Sequence, residues 1–244
     1  MNIAWENFDS LDAYKKLLSL KGQVSLSKEL NADRVASCSV PMASGLVYNY
    51  ASKQVNAQIL KVLQELSDED QLTEKFQALY EGDVINTGEK RKVLHHLVRG
   101  QLGKDVTYEG KNGLSFYKAQ EDAIASFADK VHSGSVANAK GEKFTTVVQI
   151  GIGGSDLGPR AMYLALEEWA CKNNSMKMKA KFISNVDPDD ASAVMASVDP
   201  AKTLFILVSK SGTTQETLAN ELFVKDYLKK AGLNPSKHMV AVTS

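Results

Sequence analysis

The pattern of apolar and polar positions changes partway along the chain. In the first part the apolar positions recur at helical spacing. Leu11, Tyr14, Leu17 and Leu18 predict a helix over 10–19. Two helical pieces are predicted between 45 and 80. Val55, Ile59, Leu60, Val62 and Leu63 line one side of the first. The second opens at Ser67-Asp68-Glu69-Asp70, an acidic segment suited to a helix N-terminus, runs through Leu72, Phe76 and Leu79, and stops at Gly82. A polar turn after Gly82 leads into a further helix that reaches Leu97. Ala119, Ile124, Phe127 and Val131 predict another over 117–132.

After residue 143 apolar runs of strand length alternate with helical patterns. Strands are predicted at 144–151, 180–185, 203–208 and 238–243. Helices are predicted at 158–172, 189–196 and 213–230, the last ended by Gly232. Between the two regimes, Ser133-Gly134-Ser135-Val136-Ala137-Asn138-Ala139-Lys140-Gly141-Glu142-Lys143 has the composition of a linker. The fold class expected is therefore α/β. A mainly helical region (1–116) precedes a domain (117–244) built on a parallel sheet with helices on both faces. Ligands of such sheets bind beyond the carboxyl ends of the strands.

Two loops at those ends have unusual composition. Ser209-Lys210-Ser211-Gly212-Thr213-Thr214 lies between an apolar strand and a helix start, and carries four hydroxyls and one Lys in six positions. Backbone N–H groups and the positive end of a helix dipole can hold an anion there, and Gly212 lets the backbone come close. Ser and Thr also cap helices, so Thr213 as an N-cap in an ordinary turn remains open beside the anion site. The other loop is Gly151-Ile152-Gly153-Gly154-Ser155-Asp156-Leu157-Gly158-Pro159. It does not fit the dinucleotide fingerprint, because Asp156 stands where the third Gly belongs. It does not fit a phosphate-binding P-loop either, because Pro159 and Arg160 follow Gly158 where Lys and Ser/Thr are required. A strand-to-helix turn that needs Gly for packing accounts for this loop alone; two such loops on one sheet edge favour a shared ligand.

Composition narrows the reading. Lys+Arg and Asp+Glu each number 29, which argues against a nucleic-acid-binding surface as the main function. No apolar run approaches a membrane span, and the N-terminus has neither a basic region nor an apolar stretch of a signal peptide, so a cytoplasmic location is expected. Cys38 and Cys171 lack metal-ligand spacing and read as two buried thiols. Adjacent His95 and His96 point about 100° apart on a helix and cannot serve one metal together; a hydrogen-bonded histidine at the core edge is expected.

Val147–Pro159 closely resembles the first signature of the glucose-6-phosphate isomerase family, and Phe205–Thr217 is similar to that family's sugar-phosphate loop. Gly82–His96 resembles a third family segment, with Thr87-Gly88-Glu89 departing slightly from its pattern. The resemblance covers ~80–244 and implies a flavodoxin-like sugar isomerase fold. It further implies interconversion of glucose 6-phosphate and fructose 6-phosphate without metal or organic cofactor, and a full-length homodimer. Carried over by position, Gly154 and Ser155 would contact the sugar. Ser209, Lys210, Ser211 and Thr214 would hold the phosphate, with Gly212 and Thr213 shaping the loop. Ser211 stands where the family more often has Thr, and Glu216 would support the polar network. The family chain continues for about as many residues again, and its proton-transferring Glu, ring-opening His, Arg and late Lys lie in that continuation. No catalytic residue is therefore expected within 1–244, which reads as the N-terminal half. A stand-alone sugar-phosphate-sensing module of the same fold is the alternative.

Overall fold

The computed structural model describes residues 3–100 and 103–243. The chain divides into two compact units, Met1–Ala119 and Gln120–Ser244.

In the first unit the helices are α1 (Asp12–Ser19), α2 (Leu26–Glu29), α3 (Ala32–Ser37), α4 (Ala57–Glu69) and α5 (Leu72–Tyr80). Two short antiparallel hairpins accompany them: β1 (Ser39–Pro41) with β2 (Val47–Asn49), and β3 (Thr107–Tyr108) with β4 (Lys111–Asn112). Leu20, Val24, Ile59 and Val62 form one small core, and Leu11, Ala13 and Leu66 another, between α1 and α4. The acidic segment at 67–70 ends α4 instead of opening α5. Its charge still serves a helix N-terminus, but that of α1: the Glu69 carboxylate accepts the amides of Asp12 at 2.9 Å and Ala13 at 2.8 Å. Asp70 pairs with Lys75 at 2.6 Å, and α5 begins after Gln71 in a left-handed conformation.

The helix expected after Gly82 does not form. A bridge between Asn86 and Arg91 and a 3-10 turn at His95–Arg99 stand there instead. His96 is buried against the ring of Tyr80, and among the described residues neither ring nitrogen has a hydrogen-bond partner, contrary to the hydrogen-bonded histidine expected.

Helix α6 (Gly113–Ser133) leads into the second unit. The segment read as a linker is an ordered turn. The buried Asn138 side chain donates to Ala201 O at 2.9 Å and Glu142 Oε2 at 3.1 Å, and accepts the amides of Lys140 and Glu142. Then follow β5 (Thr146–Ile150), α7 (Gly154–Lys172), β6 (Lys179–Ile183), α8 (Pro188–Ala196), β7 (Thr203–Val208), α9 (Gln215–Lys230) and β8 (Met239–Val242). The four strands form one parallel sheet in the order β6-β5-β7-β8, the α/β architecture expected from the alternating pattern.

Side-chain alternation sorts the strands onto two faces. Val148, Ile150, Ile183 and Phe205 point one way and are sealed by Ala191 and Met195 of α8 and by Val224 and Leu228 of α9. The opposite face carries Val147, Leu204, Ile206 and Val240. Val131 of α6 and Phe144 close part of it, and an apolar groove of about 700 Å³ stays open beside Ile124 and Phe127. Cys38 is half-buried and Cys171, in the last turn of α7, is exposed, so neither is the buried thiol expected.

Candidate functional site

Register brings three strand ends level. Ile150 pairs with Ile183 on one side and with Leu207 on the other. The turns that leave β5, β6 and β7 therefore emerge side by side at the carboxyl edge, the place where parallel sheets hold ligands. Both loops singled out in the sequence belong to this edge.

The β7 loop is held by its own hydroxyls. Ser209 is buried, and its amide donates to Val242 O at 3.1 Å, prolonging the ladder with β8. Its Oγ lies 3.0 Å from Thr214 Oγ1 and accepts the Gly212 amide at 3.1 Å. Ser211 Oγ accepts the Thr213 amide at 3.2 Å and the Thr213 hydroxyl at 2.9 Å. Gly212 has φ +68°, a left-handed conformation that side chains resist. Lys210, Ser211, Gly212 and Thr213 are exposed. The helix start is at Thr214, not Thr213, and the Thr214 side chain does not cap it. Its hydroxyl is turned to Ser209. The capping account of this loop thus lacks its hydrogen bond, while the first-turn amides and the dipole of a four-turn helix point out of the same edge.

The β5 loop is held by backbone and by a buried charge. Gly153 has φ +58° and ψ −121° at the N-cap of α7, and Gly154 and Ser155 open the helix. Pro159 has no amide proton to give to the Ser155 carbonyl four residues back. The side-chain amide of Gln149, on β5, donates to that carbonyl at 2.8 Å instead. A Cβ on Gly151 would stand 2.9 Å from the same oxygen and 3.0 Å from Ser155 Cβ, so only glycine permits this approach. Asp156 is buried, and Arg160 closes on its Oδ1 with Nε at 3.0 Å and Nη2 at 2.9 Å; the guanidinium also lies over the Phe182 ring at 5.0 Å.

Polar residues of α9 link the third strand end to the other two. Asn220 is buried and donates to Asn185 O, in the turn after β6, at 3.0 Å. The hydroxyl of Thr217, also buried, finds no partner among the described residues. Gln149, Asn220 and Thr217 were not singled out from the sequence. Pro159 inside a helix was the available signal for Gln149, since it leaves one carbonyl in need of a donor. Nothing local marks Asn220, because Asn185 is distant in sequence. The large apolar groove between α6 and the sheet is not at this edge, and among the described residues no cluster of His, Cys, Asp and Glu could hold a metal ion.

A parallel sheet with two glycine- and hydroxyl-rich loops at adjacent strand ends makes this an α/β protein with a candidate anion site at the carboxyl edge. Residues 49–244 match the family model described as phosphoglucose isomerase, and the chain belongs to that family. It is 54% identical over 248 residues to a glucose-6-phosphate isomerase of Treponema denticola, covering 98% of this chain and 46% of that protein. It is 43% identical over 242 residues to one of Borreliella burgdorferi, covering 98% and 46%. A solved glucose-6-phosphate isomerase from Chlamydia trachomatis superposes with a TM-score of 0.76 at 31% identity, over 98% of this chain and 45% of that one. The chain thus spans about half the length of the curated relatives it matches. Among the described residues no helix is long and apolar enough to cross a membrane.

Proposed function

We propose that this chain is the sugar-phosphate-binding half of a glucose-6-phosphate isomerase. In this reading Ser209, Lys210, Ser211 and Thr214 hold the phosphate, Gly212 and Thr213 shape its loop, and Gly154 and Ser155 meet the sugar. Residues 117–244 form the binding domain. The proton-transferring groups come from the part of the relatives that this chain does not span.

The observation that carries the proposal is the β7 loop at the N-terminus of α9. Its hydroxyls stand in two hydrogen-bonded pairs, Ser209 with Thr214 and Ser211 with Thr213, and its N-cap threonine is not spent on capping. Each hydrogen bond to a charged phosphate contributes roughly 1.5–3 kcal/mol. Such binding, remote from the reacting carbons, can hold an open-chain sugar for a base supplied elsewhere.

The test is calorimetric titration of the 244-residue chain with fructose 6-phosphate, alongside an isomerase assay of the same preparation. Saturable binding without turnover is expected. Ser209→Ala with Thr214→Ala should weaken binding about 100-fold or more, the loss of two hydrogen bonds to a charged group. Unchanged affinity in that double variant overturns the phosphate assignment. Turnover by the purified chain overturns the division of labour between the two halves.

A further inference from the structure

The first turn of α7 is fastened to the sheet by the side chain of a strand residue. Pro159 stands in the second turn of α7. Its ring lacks an amide proton and crowds the carbonyl four residues back, that of Ser155. That carbonyl is taken out of the helical ladder and given to the sheet: Gln149 Nε2 donates to it at 2.8 Å. The donor rises from backbone held on both sides. Strand β5 lies between β6 and β7, with Gln149 opposite Phe182 of the one and Ile206 of the other. Gly151, two residues on, has no side chain to hold Ser155 off.

The amides of this turn divide between the loop and the open edge. Ser155 N donates to Ile152 O at 3.1 Å, and Asp156 N to Gly153 O at 3.0 Å. The amide of Gly154, the first residue of the helix, has no acceptor among the described residues. Gly154 is exposed and Ser155 half-buried. The two groups assigned to the sugar therefore stand on a turn whose place over β5 is set by Gln149. The β7 loop is tied to the sheet separately, through Ser209 N and Val242 O at 3.1 Å. Gln149 bears on one loop and not on the other.

We propose that Gln149 is a positioning residue. Through the Ser155 carbonyl it holds the sugar-contacting turn at a fixed distance from the phosphate loop, and so contributes to recognition of the sugar but not of the phosphate. This rests on the sugar-phosphate reading above and extends it to a residue outside both loops. The two loops leave neighbouring strands, about 4.8 Å apart. A ligand that spans them is discriminated by that spacing only if neither arm is free to shift. A turn bolted to a central strand loses little freedom when the ligand arrives, which raises affinity without any new contact.

The test separates the two ends of the ligand. The 244-residue chain would be titrated with fructose 6-phosphate by calorimetry, and with inorganic phosphate by displacement of that sugar phosphate. The same titrations would be run on Gln149→Leu, on Gln149→Met, and on Gln149→Leu with Pro159→Ala. Leu and Met keep an apolar body of similar size and remove the donor. In both single variants Kd for fructose 6-phosphate should rise about fivefold, the worth of one hydrogen bond between neutral groups. Kd for inorganic phosphate should stay within about twofold. The double variant returns an amide to position 159, where it can serve the Ser155 carbonyl, and should regain part of the lost sugar affinity. A merely structural role for Gln149 would lower Tm and leave the ratio of the two affinities unchanged. An unchanged ratio in both single variants therefore overturns the inference and leaves the sugar-phosphate reading standing. A changed ratio without recovery in the double variant overturns the route through the Ser155 carbonyl. Failure of the unsubstituted chain to bind fructose 6-phosphate overturns the sugar-phosphate reading, and this inference with it.

Discussion

Helices α7 and α9 both start at a strand end, beside a glycine-bearing loop, and both lie against the same sheet, yet they bury opposite kinds of side chain. Helix α9 follows the ordinary rule. Thr217, Asn220, Val224 and Leu228 recur at helical spacing and are buried; the first two are polar where the helix meets the strand ends, the last two apolar where it meets the core. Helix α7 buries Asp156, half-buries its partner Arg160 and Tyr163, and exposes leucines, a methionine and a tryptophan. Amphipathicity alone therefore does not say which face meets the sheet. It says only that each face needs a different environment, and for α7 the apolar environment is not supplied by the sheet beneath it.

The sharpest way to break this contrast is to truncate matched leucines. Leu228→Ala in α9 should destabilise the chain by about 2–5 kcal/mol, because Leu228 is fully buried and the cavity would not collapse. Leu164→Ala in α7 should stay within about 0.5 kcal/mol. Urea unfolding monitored by circular dichroism separates the two. Equal effects would erase the distinction between the helices.

A second, smaller effect is expected on the polar side of α7. Arg160→Met would leave the buried Asp156 carboxylate without its two hydrogen bonds, costing roughly 2–3 kcal/mol at neutral pH. Urea unfolding of Arg160→Met and of Arg160→Met with Asp156→Asn checks this; a loss of the same size in both would show that packing on Phe182, and not charge, holds the arginine.

The smallest effect sharpens the account of the β5 loop. Gln149→Leu leaves the Ser155 carbonyl, which Pro159 denies a helical donor, without a partner, for about 1–2 kcal/mol. Pro159→Ala in the same background should return part of that loss by restoring an amide at the right position. Thermal unfolding of the single and double variants checks this; no recovery in the double variant would sever the link between Gln149 and Pro159.

Much of the second unit was legible because its signals are local. Thr203–Val208 is a strand with the bounds its apolar run predicts, and Gly232 follows α9 one residue after its C-cap. Both strand-end loops stood out by composition before any geometry was known. The first unit was less legible. Its hairpins are short, and Gly82–Leu97 has helical spacing without the caps and length that would let a helix persist. The linker-like 133–143 is pinned by Asn138 to Ala201, a contact between positions far apart in sequence.

The amino-acid order by itself determined the alternation of strand and helix, the glycines that the two loops require, and the hydroxyls at 209–214, since each follows from the conformation or chemistry of neighbouring residues. Only the folded chain decided that Glu69 serves the N-terminus of α1, that Asn220 ties the β6 turn to α9, and that α7 turns its apolar side outward. Those outcomes depend on which surfaces meet in three dimensions, and a periodic sequence specifies two faces without specifying what stands opposite either of them.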